Sequence, residues 1–288
     1  MRLLNDSDRA IGLAQLGGSD LNRQKQNLAA NVRQTRREDS AWEVIKTVLQ
    51  ALLLAFLVRT FLFQPFNIPS GSMYPTLMIG DYLFVSKLSY GYSKYSFNFS
   101  IDRLGFKFGP VPIKGRVFFA EKPERGDVVV FKLPADNETD YIKRLIGLPG
   151  DHIQVKDGLL YINGQQVKRE RIADYTDRNG EGAGTPIPRY RETLPNGISY
   201  ETLDAVDGSA GDNTNEYVVP PDHYFMMGDN RDNSEDSRFL TPVGYVPFEN
   251  FVGRADLIFF SHNGTANIFE VWKWPLAIRW NRFFHPVD

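Results

Sequence analysis

The chain of 288 residues contains no cysteine. This absence excludes thiol catalysis, disulfides, cysteine-ligated zinc and iron–sulfur clusters. It does not fix the compartment, because a bacterial protein outside the cytoplasm can also lack cysteine. An excess of positive charge is missing too: 33 lysines and arginines stand against 35 aspartates and glutamates, a formal net charge of -2. We therefore expect no broad basic surface and no nucleic-acid partner.

Histidine is scarce as well, with four residues in the whole chain. None has the HExxH or paired spacing of a zinc site, and neither a P-loop nor a GxGxxG motif occurs, so we expect no metal and no cofactor. A Ser-His-Asp triad stays open as an alternative, because Asp151 precedes His152 and Asp222 precedes His223. No GxSxG motif supports that alternative.

One long apolar run interrupts an otherwise ordinary globular composition of 42% hydrophobic and 24% charged residues. It extends from Val44 to Phe63 (VIKTVLQALLLAFLVRTFLF), and 20 helical residues span roughly 30 Å, the thickness of a bilayer core. Lys46 and Arg59 lie near its ends, where long side chains reach water, and only Gln50 is polar well inside. The run predicts a membrane anchor, with a buried core helix as the alternative.

The charges that flank the run indicate its orientation. No lysine or arginine occurs from Gln64 to Phe84. Basic residues concentrate before the run instead, and by the positive-inside rule they keep the N-terminus in the cytoplasm. A cleavable secretory signal fits poorly, because more than 40 residues precede the run and no Ala-x-Ala site follows it. The basic residues nearest to the run on this side are Arg23, Lys25, Arg33, Arg36 and Arg37.

Beyond the run the pattern is that of a mainly β protein with an antiparallel sheet. The stretches 127–133 (DVVVFKL) and 140–146 (DYIKRLI) are rich in β-branched and aromatic residues and predict two strands. The sequence IQV, Asp157-Gly158, LLYI, Asn163-Gly164, QQV predicts a meander with two type I′ turns. Residues 169–215 are polar and rich in glycine and proline, which predicts an inserted, loop-rich second β region, peripheral to any chemistry.

Three of the four tryptophans fall in the last 17 residues and are interleaved with basic residues. This mixture favours a membrane interface, and packing of the aromatic rings on the sheet is the alternative. The organisation that we predict has five parts: a cytoplasmic segment 1–43, an anchor 44–63, the first part of the β core 64–163, the inserted region 164–219, and a last part 220–288 that completes the core and ends in the aromatic segment.

The segment that directly follows the anchor reads PFNIPSGSMYPTL over residues 65–77. Three prolines and one glycine in 13 residues restrict φ at several positions and free it at one, so Ser70 and Ser72 lie on a stiff, shaped backbone. Rigid serines favour a chemical role over a flexible linker, but a serine hydroxyl that acts as a nucleophile also needs a base.

A lysine can be that base only when it is neutral. At an unperturbed pKa of about 10.4, roughly one lysine in a few thousand is neutral at pH 7, so burial must lower the pKa by about three units. Lys143 lies in the apolar stretch YIKRLI, and strand alternation directs it to the face opposite Arg144. One of these two residues must point inward unless the strand is solvated on both faces. The pattern alone allows a catalytic lysine or a solvated lysine on an edge strand.

Five stretches of the chain together resemble the successive sequence boxes of bacterial type I signal peptidase, also called leader peptidase. The resemblance implies a membrane-bound Ser/Lys endopeptidase with a mostly β fold, which removes signal peptides from exported preproteins after small-x-small motifs. It implies a location in the bacterial plasma membrane, and the single apolar run with its flanking charges predicts one pass with the catalytic domain outside the cytoplasm. The boxes are PSGSMYPTL at 69–77, GDYLFVSK at 80–87, RGDVVVFKLP at 125–134, YIKRLIGLPGD at 141–151 and GDNRDNSEDSR at 228–238.

The same resemblance implies a role for each matching residue. Ser72 matches the nucleophile and Lys143 the general base. The hydroxyl of Ser70 and the backbone N–H of Ser72 match the groups that bind the oxyanion, and Ser234 matches the serine that orients the lysine. A supporting ion pair is matched by Asp236 and Arg238.

Apolar residues near these boxes resemble the walls of shallow pockets for small side chains. Phe66 and Ile68 are two residues apart in an extended stretch and therefore share one face. Ile142 resembles a third wall residue, although alternation directs its side chain away from Lys143.

The chain departs from the best-known Gram-negative members of the family in having one clear span and not two. The expected partners are exported preproteins and the lipid bilayer. A function of another class remains as an alternative: a membrane-anchored β scaffold or chaperone that binds exported chains without cutting them. That alternative leaves Ser72 and Lys143 without a role.

Overall fold

The structure is a computed structural model that describes residues 23, 42–96, 99–101, 106–108, 115–117, 121–176, 184–267 and 269–287. Its contacts divide the chain into two compact units, Met1–Leu57 and Val58–Asp288. The predicted cytoplasmic segment 1–43 lies almost wholly outside the described residues.

A long apolar helix, α1, extends over Trp42–Phe61 and has the length and composition of a membrane span. Its leucines are exposed, with Leu52, Leu53 and Leu54 at 61%, 59% and 63%. A helix in the core of a soluble protein would bury such side chains, so the alternative of a buried core helix receives no support. The helix ends two residues before the predicted boundary, because Phe63 already begins the first strand.

The rest of the described chain is mainly β. The strands are β1 (Phe63–Asn67), β2 (Asp81–Ser86), β3 (Phe99–Ile101), β4 (Phe106–Phe108), β5 (Val128–Lys132), β6 (Asp140–Gly147), β7 (His152–Lys156), β8 (Leu159–Ile162), β9 (Gln165–Gln166), β10 (Lys168–Tyr175), β11 (Ile187–Thr193), β12 (Ser199–Leu203), β13 (Tyr217–Val218), β14 (His223–Met227), β15 (Val246–Pro247), β16 (Phe251–Ser261) and β17 (His285–Pro286).

The strands form four sheets. The main sheet has eight strands in the order β1-β2-β16-β5-β6-β14-β15, with β17 paired to β16. A four-stranded sheet has the order β13-β7-β8-β9, a three-stranded sheet the order β10-β11-β12, and β3 pairs with β4. Every strand pairing within the described residues is antiparallel, as the sequence predicts.

The two strands predicted from β-branched runs form the centre of the main sheet. All five residues of β5 are buried, and β5 pairs with β6 in a register that sets Val129 opposite Lys143. The sheet is completed from sequence on both sides of the 164–219 region, because β14 pairs with β6 and β16 lies between β2 and β5.

The meander is present with its two predicted tight turns. Asp157 and Gly158 have φ of 49° and 73°, and Asn163 and Gly164 have φ of 53° and 78°. Type I′ turns require positive φ at both central residues, which explains the choice of Asp-Gly and Asn-Gly. The turns set the register in which alternate residues of β7 and β8 bury their side chains.

Residues 169–215 contain the second β region that the sequence predicts. Strands β10, β11 and β12 occupy much of this region as a sheet of their own, and residues 177–183 lie outside the described chain. The bounds of the individual strands were not predicted, because their surface carries charges in place of an apolar alternation. Cross-strand ion pairs such as Arg189 to Glu201, at 2.9 Å, occupy that surface.

The C-terminal segment is fixed to the main sheet while its tryptophans point outward. Arg282 forms an ion pair with Asp81 at 2.6 Å, and a short helix, α2, covers Trp274–Ala277. Trp272 is 71% exposed and Trp280 is 59% exposed. Trp272 is therefore not covered by the sheet, whereas the ring of Trp280 lies 5.4 Å from that of Phe283, which lies 5.6 Å from Phe260 on β16.

Candidate active site

The stiff segment after β1 forms a compact turn whose apolar residues anchor it in the core. Ile68, Met73 and Leu77 are buried in one hydrophobic cluster. Backbone bonds close the turn, with the N–H of Tyr74 donating to Gly71 O and the N–H of Leu77 donating to Met73 O. Ser72 is buried in this turn.

Lys143 reaches this turn from β6. Its Nζ lies 2.7 Å from Ser72 Oγ, and both side chains are buried. The structure thus brings together two predicted residues that are 71 positions apart in sequence.

Burial lowers the pKa of Lys143 from the ordinary 10.5 to about 8, and the nearby carboxylates of Asp236, Asp229 and Glu235 only partly oppose this effect. About one Lys143 side chain in ten is then neutral at pH 7, against roughly one in a few thousand for a free lysine. A neutral amine in hydrogen-bond contact with a serine hydroxyl is an arrangement that can remove the hydroxyl proton.

Arg144, on the opposite face of β6, is buried as well. Its Nε and Nη2 donate to the two carboxylate oxygens of Asp229 at 2.9 and 2.8 Å. Asp229 also accepts a bond of 2.6 Å from Thr76 Oγ1, which lies in the serine turn. On β6, therefore, Lys143 contacts the candidate nucleophile, and the next residue, Arg144, binds Asp229, the carboxylate that supports the same turn. Neither Asp229 nor Thr76 was predicted as a site residue, although they lie within the boxes at 228–238 and 69–77.

The loop of residues 228–238 is organised around Asp236. Its Oδ2 accepts from Ser234 Oγ at 2.8 Å and from Gly228 N at 3.0 Å, while Arg238 donates to both carboxylate oxygens at 2.9 Å. Burial opposes ionisation of Asp236, but Arg238 and these hydrogen bonds outweigh burial and hold the pKa below its usual value. The ion pair expected between Asp236 and Arg238 is present.

Ser234 lies beside the turn of Ser72, and a glycine allows the approach. A Cβ on Gly228 would lie 2.1 Å from Ser234 Oγ and 2.6 Å from Ser72 O, so no side chain fits there. In the described part of the chain Ser234 Oγ bonds to Asp236, and no hydrogen bond joins it to Lys143 Nζ. Its predicted role in orienting the lysine remains a prediction.

The oxyanion groups predicted near Ser72 lie at the turn. Ser70 is exposed. The carbonyl of Ser72 accepts from Asn230 N at 3.1 Å, and Asn230 Nδ2 donates to Gly71 O at 3.1 Å. Among the hydrogen bonds of the described residues, neither the Ser72 N–H nor the Ser70 hydroxyl is used, so both donors are available to a ligand.

The three predicted pocket residues share one hydrophobic cluster. Ile68 is buried in it, and Phe66 and Ile142 are partly buried and pack against it. Ile142 faces away from Lys143, as strand alternation predicts, yet it lies on the same side of the sheet as the other two residues.

Neither histidine of the triad alternative reaches a serine within the described residues. His152 Nδ1 lies 2.5 Å from an exposed carboxylate oxygen of Glu216, and His223 Nδ1 lies 2.8 Å from Pro221 O. Asp151 pairs with Arg125 at 2.8 Å. The geometry provides no Ser-His-Asp arrangement in this part of the chain.

Three carboxylates that the sequence analysis did not connect, those of Asp204, Asp212 and Asp232, have oxygens within 4.8 Å of one another. Arg169 donates to Asp204, and backbone N–H groups of the same region donate to Asp212 and Asp232. Each of the three carboxylates thus accepts a hydrogen bond from the protein, while the Oδ1 atom of Asp232 is buried without a hydrogen-bond partner among the described residues.

Comparison with known proteins places this site in a family. The family model described as "Signal peptidase, peptidase S26" matches residues 41–260. The signal peptidase I of Rickettsia akari is 39% identical over 276 residues, which cover 91% of this chain and 97% of that protein. The protein of the same name from Rickettsia canadensis is 41% identical over 254 residues, with coverage of 83% and 91%.

A crystal structure of a signal peptidase I from Enterococcus faecalis is 27% identical and covers 46% of this chain and 97% of that chain, with a TM-score of 0.28. The family match rests on the sequence relatives, which extend over nearly the whole chain. The chain belongs to the signal peptidase I family of S26 peptidases, membrane-anchored hydrolases that remove signal peptides from preproteins.

Proposed function

We propose that the chain cuts signal peptides with Ser72 as nucleophile and Lys143 as general base. The observation that supports this most directly is the contact of 2.7 Å between Lys143 Nζ and Ser72 Oγ, both buried in one site. A lysine with a pKa of about 8 combines a useful neutral fraction with enough basicity to take a proton.

In the proposed mechanism Lys143 takes the hydroxyl proton of Ser72 as Oγ attacks the scissile carbonyl. The Ser72 N–H and the Ser70 hydroxyl donate to the oxyanion of the tetrahedral intermediate. Lys143 then gives its proton to the departing amine, and the signal peptide remains as an ester on Ser72. The lysine, neutral again, removes a proton from water, which attacks the ester, and Lys143 then returns this proton to Ser72 Oγ as the peptide is released.

Ser234 is the group that aims the lysine in this proposal. Because its hydroxyl proton is donated to Asp236, its oxygen lone pairs are free to accept a hydrogen bond from the ammonium form of Lys143. Arg238 in turn donates hydrogen bonds to both carboxylate oxygens of Asp236. The arrangement follows the logic of a catalytic triad, in which a third group orients the base.

The substrates in this proposal are exported preproteins, cut after a small-x-small motif. Phe66, Ile68 and Ile142, which belong to one hydrophobic cluster, provide the apolar walls of shallow pockets in this proposal. Such shallow walls favour small side chains before the scissile bond over large ones.

The proposed location is the bacterial plasma membrane, with α1 as a single anchor, the N-terminus in the cytoplasm and the catalytic unit outside. The distribution of basic residues before and after the helix supports this orientation. The exposed tryptophans of the C-terminal segment support a direct contact of the catalytic unit with lipid. The predicted division of the chain, with the catalytic core on both sides of 164–219, belongs to the same proposal, and the mechanism uses no metal or cofactor.

Incubation of the purified protein with a preprotein, followed by N-terminal sequencing of the product, tests the function. We expect one cut after a small-x-small motif, lost in Ser72→Ala. Binding of the preprotein without any cut would favour the scaffold alternative. A cut that persists in Ser72→Ala would show that another group is the nucleophile.

A further inference from the structure

The three-stranded sheet β10-β11-β12 holds the first part of the 228–238 loop. The N–H of Leu203, at the end of β12, donates to Asp229 O at 2.9 Å. Just beyond β12, the N–H groups of Ala205 and Val206 donate to Asp232 Oδ2 at 2.6 and 2.9 Å. The predicted peripheral position of this region does not agree with these contacts, because they reach the loop that carries Ser234.

A buried ion pair makes the same connection through side chains. Arg231 donates to both oxygens of Glu192 on β11, at 2.8 and 2.5 Å, and the two residues are 4% and 1% exposed. Tyr200 Oη on β12 donates to Glu192 at 2.8 Å. Buried ion pairs contribute little net stability compared with apolar packing, but a bidentate pair imposes a narrow geometry. The pair is therefore suited to fixing the position of Arg231.

The backbone at residues 230 and 231 is hydrogen-bonded both to Ser72 and to the arginine that binds Asp236. The preceding residue, Asn230, donates its N–H to the carbonyl of Ser72 at 3.1 Å. The carbonyl of Arg231 accepts a bond of 2.6 Å from Arg238, the arginine that holds Asp236. A displacement of Arg231 would thus move both the backbone of the nucleophile and the support of the lysine.

A second contact joins the same sheet to β6. The guanidinium of Arg144 lies 4.4 Å from the centre of the Tyr200 ring, and the same guanidinium donates a hydrogen bond to Asp229. The three-stranded sheet therefore contacts the site from two directions.

We infer that the β10-β11-β12 sheet positions the Ser72–Lys143 dyad, and that Glu192, through its bonds to Arg231, is the positioning residue of this connection. The inference rests on the proposed function, because it needs Ser72 and Lys143 as the reacting groups. A displaced nucleophile still binds its substrate but reacts more slowly, so kcat falls while KM changes little.

The test compares Glu192→Gln with Glu201→Gln in the full-length protein. Glu201 belongs to the same small sheet but faces Arg189 and Arg191 at its partly exposed surface. With a preprotein as substrate, we expect Glu192→Gln to lower kcat roughly ten- to hundredfold with KM within about twofold of the parent. Glu201→Gln should match the parent in both constants.

Two further variants control for folding, with activity expressed per folded molecule after thermal unfolding is measured. Glu192→Leu with Arg231→Met removes both charges and leaves no unpaired ion, so it should fold and yet show the lowered kcat. Tyr200→Phe removes one hydroxyl and should lower kcat severalfold. Parent-like kcat in the folded Glu192→Gln and Tyr200→Phe proteins would overturn the inference, provided that Ser72→Ala is inactive. Full activity of Ser72→Ala would instead overturn the proposed function.

Discussion

Lys143 and Arg144 are neighbours on β6, and both are buried, on opposite faces of the strand. Arg144 is compensated by the two oxygens of Asp229, whereas Lys143 contacts the neutral hydroxyl of Ser72. A cation paired with a carboxylate stays charged, and a cation buried beside a hydroxyl tends to lose its proton. Two adjacent basic residues thus have opposite electrostatic roles.

The first prediction concerns the dyad. Ser72→Ala and Lys143→Ala should each abolish cleavage of a preprotein, and the double variant should be no worse than either, because the two groups act as a unit. The measurement is the single-turnover rate of preprotein cleavage by each folded variant.

The matched controls for the dyad are His152→Ala and His223→Ala, which remove the histidines of the triad alternative. Both should retain nearly the activity of the parent, because neither histidine contacts a serine in the described chain. Loss of cleavage in one of them, together with activity in Lys143→Ala, would reverse the assignment.

The second prediction concerns the pH dependence of the reaction. The acylation rate should rise with pH through a midpoint near 8, because only the neutral form of Lys143 takes the proton. Single-turnover cleavage between about pH 5 and pH 10 measures this profile. A flat profile would contradict the assignment of Lys143 as the titrating base.

The third prediction concerns the pH dependence of stability. Burial lowers the pKa of Lys143 from 10.5 to about 8, so the unfolded state binds more protons between these values and the free energy of unfolding rises with pH across this window. The full difference is about 3 kcal/mol for a shift of this size. Urea unfolding of the parent and of Lys143→Met at pH 7.5 and pH 10 measures it, and the variant should show a smaller rise.

A second buried lysine, Lys87, allows the pH dependence of stability to be distinguished from the pH dependence of cleavage. Burial, aided by Arg59, lowers the pKa of Lys87 to about 8, and its Nζ donates to Ser96 O at 2.6 Å, away from the serine turn. Lys87→Met should therefore flatten the rise in stability over the same window but leave the pH midpoint of cleavage unchanged. A shifted midpoint would mean that Lys143 is not the group that the rate reports.

The sequence predicted those parts of the fold that rest on local physics. Asp157-Gly158 and Asn163-Gly164 adopt positive φ because few other residues do so cheaply, and the apolar run from Val44 is long enough to cross a bilayer as a helix. The resemblance to a known family supplied Ser72 and Lys143, which strand alternation alone did not separate from a solvated lysine.

The parts that were missed depend on contacts between distant segments. The ion pair of Glu192 with Arg231 joins residues 39 positions apart, and neither residue lies in an apolar pattern that marks it as buried. Thr76 with Asp229 is a similar case, at a separation of 153 positions. A charge on a strand resembles a solvated charge until its partner is known.

The fourth prediction concerns Ser234. Ser234→Ala should reduce the acylation rate by about 10² to 10³, because a misaligned base loses most of its advantage, while substrate binding changes little. The control is Ser237→Ala in the same loop: Ser237 Oγ accepts from Met226 N at 2.9 Å and supports the loop without facing the lysine. An unchanged rate in Ser234→Ala would remove Ser234 from the mechanism.

The last prediction concerns the membrane. A chain that begins at Val58, the start of the second compact unit, should still associate with lipid vesicles, because its tryptophans are exposed on a segment held to the sheet by the Arg282–Asp81 ion pair. Replacing all three C-terminal tryptophans with serine should abolish flotation with vesicles, since aromatic rings at a water–lipid interface supply most of such binding. Replacing Val206 and Leu240, which are about as exposed at 58% and 61%, should leave flotation unchanged. If the parent fragment stays in the soluble fraction, or if both sets of replacements behave alike, the tryptophans have no special role in lipid contact.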